Sequence, residues 1–232
     1  MDILDKFIEE IKVVCGQNLK SIVLYGSKAS GEQTEKHSDY NLLLILEKIK
    51  FEDLKLLNKT IKFWIKKGNP APLLFTMEQL KKSTDVFPID FLDMKDHNKI
   101  LYGNNPFENL EIKNTYLRHE CEYELKSKLL KLRQAYMLSQ NTSDIRKLLI
   151  NSISAFLIIF RQVVRLYNVV PPIKRLDALK VLSEKTGLNP SIFVTIFNMK
   201  QEVKEALKLD PDLVMEEYLK EIEKIVDIVD NL

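Results

Sequence analysis

The chain has 232 residues, of which 45% are hydrophobic and 29% charged, with a formal net charge of +2 at pH 7. These values are typical of a globular protein with one large or two small domains. The nearly balanced charge gives no case for a nucleic-acid or membrane partner, so we expect neither. Cys15 and Cys121 match no metal or redox spacing, and the acidic, amphipathic first ten residues do not resemble a secretory signal. Both features favour a cytoplasmic protein.

The first half of the chain mixes helical and strand patterns, so we expect an α+β domain over residues 1–110. Apolar residues recur at helical spacing over residues 2–15 and 52–66, which predicts two amphipathic helices. Short apolar runs predict four strands, at residues 21–25, 42–46, 72–76 and 86–92. A short helix is predicted at 77–82, and a last small helix is predicted to end at Tyr102-Gly103.

Strand patterns stop after about residue 113, so residues 111–232 are predicted to form an all-α helical bundle. Thr142 or Ser143 is expected to cap a helix that runs to about Tyr167. Asn189-Pro190 and Asp210-Pro211 each place a capping residue before a proline, which predicts two helix starts. The run 155–160 is apolar all round but has charged neighbours, so it predicts the central helix of the bundle rather than a membrane segment.

A short motif joins the first two predicted strands. Gly26 ends the first strand, where a glycine allows a tight turn and the close approach of a ligand. Ser27 offers a hydroxyl and a backbone N–H to an anion. Asp39 lies at the start of the second strand and Asn41 follows two residues later, so both side chains point to one face. A phosphate-holding turn beside these two residues suits a nucleoside triphosphate with Mg²⁺.

These residues resemble the signature of the DNA-polymerase-beta-type nucleotidyltransferases, in particular the bacterial minimal and kanamycin-nucleotidyltransferase-like branch. The resemblance is carried by Gly26-Ser27, an interval of eleven residues, and Asp39-Tyr40-Asn41 running into the strand at 42–46. It continues through residues 85–93 and 100–103, and so covers most of residues 20–105. The resemblance implies a nucleotidyltransferase fold, a mixed sheet flanked by helices, followed by the helical bundle that many members carry.

The resemblance also implies roles for individual residues. Gly26 and Ser27 would contact the triphosphate, and Lys28 is a candidate to steer it. The family binds metal through two acids separated by one residue, which correspond to Asp39 and Asn41. The implied cofactor is Mg²⁺ or Mn²⁺, with the nucleoside triphosphate as co-substrate.

A third acid on a later strand completes the metal site in this family, as a further metal ligand, and can act as the base. We prefer Asp90 for this role and keep Asp93 as the alternative. On the predicted strand, Phe87, Ile89 and Phe91 form one face and Asp90 projects from the other, toward the expected cleft. Asp93 shares the parity of the apolar face.

Asn41 departs from the family pattern, which has aspartate at this position. Asparagine keeps the shape and one oxygen ligand but brings no negative charge, so it should bind Mg²⁺ more weakly. A charge lost beside a transferring phosphate costs on the order of 3 kcal/mol, or about a hundredfold in rate.

Two functions therefore remain open. The first is a metal-dependent nucleotidyltransferase that transfers a nucleoside monophosphate to a small-molecule or protein hydroxyl and releases pyrophosphate; the balanced charge argues against long nucleic acids as acceptors. The second is a catalytically degenerate nucleotide-binding or protein-interaction module, antitoxin-like by resemblance. In either case a homodimer could complete the cleft.

Overall fold

The computed structural model describes residues 2–30 and 39–232. They form two compact units, Met1–Ile112 and Lys113–Leu232. The first unit holds a four-stranded mixed sheet with helices on both faces, and the second is helical. This arrangement confirms the fold class predicted from the sequence.

The sheet of the first unit has the strand order β3-β2-β1-β4. β1 is antiparallel to both β2 and β4, while β3 runs parallel to β2. The strands are β1 (Leu19–Tyr25), β2 (Asn41–Leu46), β3 (Leu73–Thr76) and β4 (Asn98–Gly103). The helices of this unit are α1 (Ile3–Cys15), α2 (Ser27–Ser30), α3 (Phe51–Lys66), α4 (Met77–Lys82) and α5 (Pro88–Asp96), with a 3-10 turn at Gly16–Asn18.

Both faces of the sheet are covered, which explains why β2 is a continuous apolar run. Alternate residues of β1 and β2, such as Ile22 and Leu44, pack against α1 and α3 on what we call the α1 face. The intervening residues, such as Val23 and Leu43, pack against α4 and α5 on the α5 face. The register of the two strands is therefore fixed from both sides, because a one-residue slip would exchange the two faces.

Two predicted elements at the end of the first unit are wrong. Residues 86–92 do not form a strand; they lead into helix α5, which begins at Pro88. Proline suits the first helical position because its φ is already helical and that position needs no N–H donor. The small helix predicted to end at Gly103 is instead strand β4, whose residues pair with the free side of β1. That pairing is a long-range contact, which local periodicity does not report.

The second unit consists of helices α6 to α11. Their bounds are α6 (Asn114–Met137), α7 (Thr142–Leu166), α8 (Arg175–Thr186), α9 (Ser191–Lys200), α10 (Lys204–Leu207) and α11 (Pro211–Asp230). Asp210 caps α11, as predicted, by accepting a hydrogen bond from Asp212 N. The cap of α7 is Asn141 and not Thr142 or Ser143, because the Asn141 side chain accepts from the first free N–H groups of the helix.

Helix α7 lies at the centre of this unit. Phe156 and Phe160 pack with Phe193 of α9 and Tyr218 of α11 in a chain of edge-to-face and tilted ring contacts. Within the described residues, α7 is the one helix long and apolar enough to cross a membrane by length and composition. Its Arg161 is nevertheless buried in the unit and donates from Nε to the carbonyl of Pro172 at 3.0 Å, as suits a core helix.

Gly103 gives a stability test of the β1–β4 pairing. Its φ is +73°, and a Cβ placed there would lie 1.9 Å from the backbone oxygen of Lys20. Gly103→Ala should therefore force the two strands apart, in addition to the left-handed strain of about 1–2 kcal/mol. We expect an extra loss of about 1–3 kcal/mol in the free energy of unfolding, measured in urea by the fluorescence of Trp64. Trp64 is the only tryptophan and reports on this unit.

Gly68→Ala is the matched control. Gly68 also has a positive φ, +85°, but a Cβ there meets no atom within 4 Å. Equal losses for the two variants would show that the close approach of Gly103 to β1 does not constrain the sheet.

Candidate functional site

The site is built where β1 ends and β2 begins. Tyr25 is directly opposite Asn41 in the antiparallel ladder, so both side chains lie on the same face. Gly26 follows with φ +77°, and its carbonyl accepts from Ala29 N at 2.9 Å as the chain enters α2. A Cβ at Gly26 would lie 3.2 Å from Asn41 Nδ2. The position thus favours glycine for its backbone conformation and for the close approach of the neighbouring amide.

Asn41 shares the parity of Leu43 and Ile45, so its side chain belongs to the α5 face. It is half-buried, whereas Asp39, just before the strand, is exposed. The side chain of Ser27, the other residue predicted at the turn, lies outside the described part of the chain. The structure thus brings Gly26 and Asn41 together, and Asp39 lies two residues from Asn41.

Asp90 lies in the first turn of α5 and is exposed. Asp90 therefore does not project from a strand as predicted, but the helix brings it to the same end of the sheet. Burial and, second, the negative charge of Asp90 raise the pKa of Tyr25 to about 12. Asp90 thus acts on the residue that pairs with Asn41.

Asp93, the alternative, has a different environment. Its Oδ1 lies 3.3 Å from Nδ1 of His97, one turn later, and the His97 ring is buried. Asp93 is therefore engaged in holding the end of α5. Of the two acids, Asp90 is the one whose charge acts on Tyr25.

Tyr40 separates the two sides of the motif. Its ring packs on the α1 face, 5.9 Å from Trp64, and its phenol donates to Asp2 Oδ2 at 3.4 Å. Burial and the neighbouring Asp2 raise the pKa of Tyr40. Lys28 Nζ lies 3.2 Å from the centre of the Tyr40 ring, a cation–π contact. Lys28 is thus held beside the α1 face in this structure, rather than over Asn41.

Asn69 is a supporting residue that the sequence analysis missed. It is buried, and its Oδ1 accepts from the backbone N–H of Tyr40 at 3.1 Å. The sequence Gly68-Asn69-Pro70 predicts a chain break, and the structure shows that this break also fixes the residue between Asp39 and Asn41. The available signal was the asparagine between a glycine and a proline, because asparagine in a turn commonly hydrogen-bonds to the backbone.

Comparison with known proteins decides the fold. No protein-family model matches the sequence, and no curated protein sequence matches it. The crystal structure of spectinomycin adenyltransferase AAD(9) from Enterococcus faecialis, determined with ATP and spectinomycin, matches with a TM-score of 0.56 and 13% sequence identity. The match covers 95% of this chain and 98% of that chain. This chain has the nucleotidyltransferase fold. AAD(9) is a kanamycin-nucleotidyltransferase-like member of the DNA-polymerase-beta-type superfamily, so the resemblance stated from the sequence motif is confirmed at the level of fold.

The nucleotidyltransferase fold implies a metal site, and the side chains present suit only part of it. The later strands, β3 (Leu73–Thr76) and β4 (Asn98–Gly103), contain no acid. Over residues 2–30 and 39–232, no group of three or more His, Cys, Asp or Glu side chains could hold a metal ion. Asp39 and Asn41 offer one carboxylate and one amide. Mg²⁺ is commonly held by one or two carboxylates together with substrate phosphates, so the donors fit one ion and not a two-metal centre.

Two surface cavities lie away from this motif. One, of about 600 Å³, lies at the opposite end of β2 and is lined by Lys20, Glu47, Thr76 and Lys82 among others. Four of its charged groups are paired, Lys20 with Glu47 and Lys82 with Glu78. The other, of about 220 Å³, lies between α9 and α11 of the second unit. Neither is lined by Gly26, Asp39 or Asn41.

The proximity of Asp90 to the site can be measured through Tyr25. Asp90→Asn removes the negative charge near the phenol, so we expect the pKa of Tyr25 to fall from about 12 toward its ordinary value of 10, with burial holding it above that. The measurement is a base titration of ¹³Cζ-labelled tyrosine by NMR, with Tyr25→Phe assigning the resonance.

Asp93→Asn is the matched control and should leave the pKa of Tyr25 unchanged. An unchanged pKa in Asp90→Asn would remove Asp90 from the site. The sign of the stability effect follows from linkage. Because the folded pKa lies above the unfolded value, the stabilisation is complete below pH 10 and lost as the pH rises toward about 12. Tyr25→Phe should flatten that fall in the free energy of unfolding.

Proposed function

We propose that this protein is a slow nucleotidyltransferase. Residues 1–110 bind a nucleoside triphosphate and residues 111–232 form a helical domain; the protein acts in the cytoplasm and transfers a nucleoside monophosphate to an acceptor hydroxyl. The observation that carries the proposal is the approach of Gly26 to the Asn41 amide at the end of the β1–β2 pair. The resemblance of the motif implies that the triphosphate binds at this position, and the chain has the nucleotidyltransferase fold.

Each residue of the motif has a role in this proposal. The turn at Gly26 and Ser27 holds the triphosphate, and Lys28 supplies a nearby positive charge. Asp39 and the Asn41 oxygen would hold one Mg²⁺ or Mn²⁺ ion, which when bound supplies positive charge that offsets the negative charge of the transferring phosphate. Asp90 accepts the proton of the acceptor hydroxyl. The acceptor oxygen bonds to the α-phosphorus, and the bond from the α-phosphorus to the bridging oxygen breaks, so that pyrophosphate leaves.

The acceptor class is proposed from two facts. AAD(9) was crystallised with ATP and spectinomycin, which supports a small-molecule hydroxyl as acceptor; a protein hydroxyl is the second choice. The net charge of +2 provides little electrostatic attraction for the phosphates of a long nucleic acid. A second subunit could complete the acceptor side of the site.

One observation favours a second candidate function, a nucleotide-binding or protein-interaction module without transfer. The site has fewer acidic side chains than the resemblance implies, because Asn41 is neutral and neither β3 nor β4 carries an acid. A site with few charged ligands can still bind a triphosphate through backbone and amide donors, yet stabilise the transition state poorly.

Nucleotide binding is tested by calorimetric titration of ATP, GTP, CTP and UTP with Mg²⁺, on wild type and Asp39→Ala. We expect at least one nucleotide to bind, and Asp39→Ala to weaken that binding in Mg²⁺ by up to about tenfold, because it removes the carboxylate that would hold the ion. Glu52→Ala is the charge-matched control, since Glu52 is an exposed acid on α3. If none of the four nucleotides binds, the Gly26–Ser27 turn is architecture only, and the proposed function is wrong.

Transfer is tested with Asn41→Asp. Restoring the carboxylate should raise pyrophosphate release with a panel of hydroxyl acceptors by up to about a hundredfold, because a charge is returned beside the transferring phosphate. Asp39→Ala should abolish release in both backgrounds. If Asn41→Asp binds nucleotide but releases pyrophosphate no faster than wild type, the module without transfer is the better description.

A further inference from the structure

The amide of Asn41 has an orientation that a metal ligand does not need. Its Nδ2 lies 3.2 Å from the position of a Cβ on Gly26 and its Cγ lies 4.0 Å away, while Oδ1 lies beyond 4 Å. The N–H end of the amide therefore faces the turn. Among residues 2–30 and 39–232 this side chain makes no hydrogen bond, although it is half-buried. A half-buried amide that is hydrated can exchange its water for a ligand that supplies the acceptor.

The backbone around the amide holds it in place. Asn41 is the first residue of β2 and pairs with Tyr25, and the next residues of the strand are buried on both faces. On the same face lies the phenol of Tyr25, which is neutral at pH 7 because the ordinary pKa of tyrosine is about 10. The nearest side chain of β1 therefore brings no negative charge to the amide at neutral pH.

We propose that Asn41 Nδ2 donates a hydrogen bond directly to a phosphate oxygen of the bound nucleotide, so that nucleotide binding, unlike transfer, does not require a divalent ion. This inference rests on the proposed nucleotide site. An aspartate at the same place would direct an anionic oxygen at the phosphate and would need an intervening cation. The amide has the opposite effect, because its N–H end attracts the phosphate oxygen without an intervening cation.

The absence of acids on β3 and β4 agrees with this assignment. Each carboxylate at a phosphate site adds repulsion that a cation offsets. With a neutral Asn41 the acids of this site are Asp39 and, from helix α5, Asp90, one fewer than with an aspartate at position 41. Oδ1 of Asn41, turned away from Gly26, remains available on the other side of the amide. Binding through the N–H end and a weak ion contact through the oxygen are thus compatible.

The experiment compares the affinity for ATP in Mg²⁺ with the affinity in EDTA, for wild type, Asn41→Asp and Asn41→Ala. Affinities are measured by calorimetry and by the fluorescence of Trp64. If the four-nucleotide titration finds that another nucleotide binds more tightly, that nucleotide replaces ATP. Calorimetry is the primary measurement, because Trp64 is buried on the α1 face and senses Asn41 only through Tyr40, whose ring lies 5.9 Å away. Wild type should bind in EDTA within about tenfold of its affinity in Mg²⁺. Asn41→Asp should lose at least another tenfold in EDTA and recover in Mg²⁺. Asn41→Ala should lose about tenfold in both conditions, because it removes the donor without adding charge.

The outcomes separate this inference from the proposed function. Wild-type binding that requires Mg²⁺ would overturn the inference and leave the nucleotide site standing. The inference would also be overturned if the ratio of the affinity in Mg²⁺ to the affinity in EDTA were the same in wild type and in Asn41→Asp. No binding in either condition would overturn the nucleotide site itself. A purely structural role of Asn41 would lower the thermal midpoint of both variants without changing that ratio, and the wild-type comparison needs no variant to fold.

Discussion

The pairing of Tyr25 with Asn41, at the point where Gly26 turns the chain, is the constraint on which the site depends. It places the amide 3.2 Å from where a Cβ on Gly26 would lie, and the positive φ of Gly26 also favours glycine there. The register behind this pairing is set by burial on two faces. Leu43 packs on the α5 face and Leu44 on the α1 face, so a slip of one residue would turn Asn41 to the wrong side of the sheet.

The residues of the motif are distributed over the two faces of the sheet. Asn41, Tyr25 and the charge of Asp90 belong to the α5 face, where phosphate chemistry is proposed. Tyr40, between Asp39 and Asn41, points the other way, into the aromatic packing of α1 and α3, and Asn69 holds its backbone. A residue that contributes no chemistry thus fixes the direction of its two neighbours, because successive side chains of an extended chain alternate between faces.

The sequence predicted those parts of the structure whose pattern is local. The amphipathic period of α1 and α3, the buried run of β2 and the spacing of Gly26 from Asp39 are local or motif features, and the structure has them. The strand predicted at residues 86–92 is wrong because the apolar residues there alternate like a strand over a few positions, while Pro88 was the contrary signal. The contact of Lys28 with Tyr40 and the effect of Asp90 on Tyr25 join distant segments, and no local period encodes them.

Binding and transfer have different physical requirements at this site. A triphosphate is held by backbone N–H groups, an amide and a favourable shape, and none of these needs a carboxylate. Transfer requires that charge developing on the phosphate be offset, which depends on how many anionic oxygens can hold a cation there. The Gly26 turn and the orientation of the Asn41 amide preserve the first requirement, while a neutral Asn41 and the acid-free strands β3 and β4 reduce the second. The replacement of one oxygen by an N–H₂ group therefore shifts the balance of the site from chemistry toward recognition, with almost no change in shape.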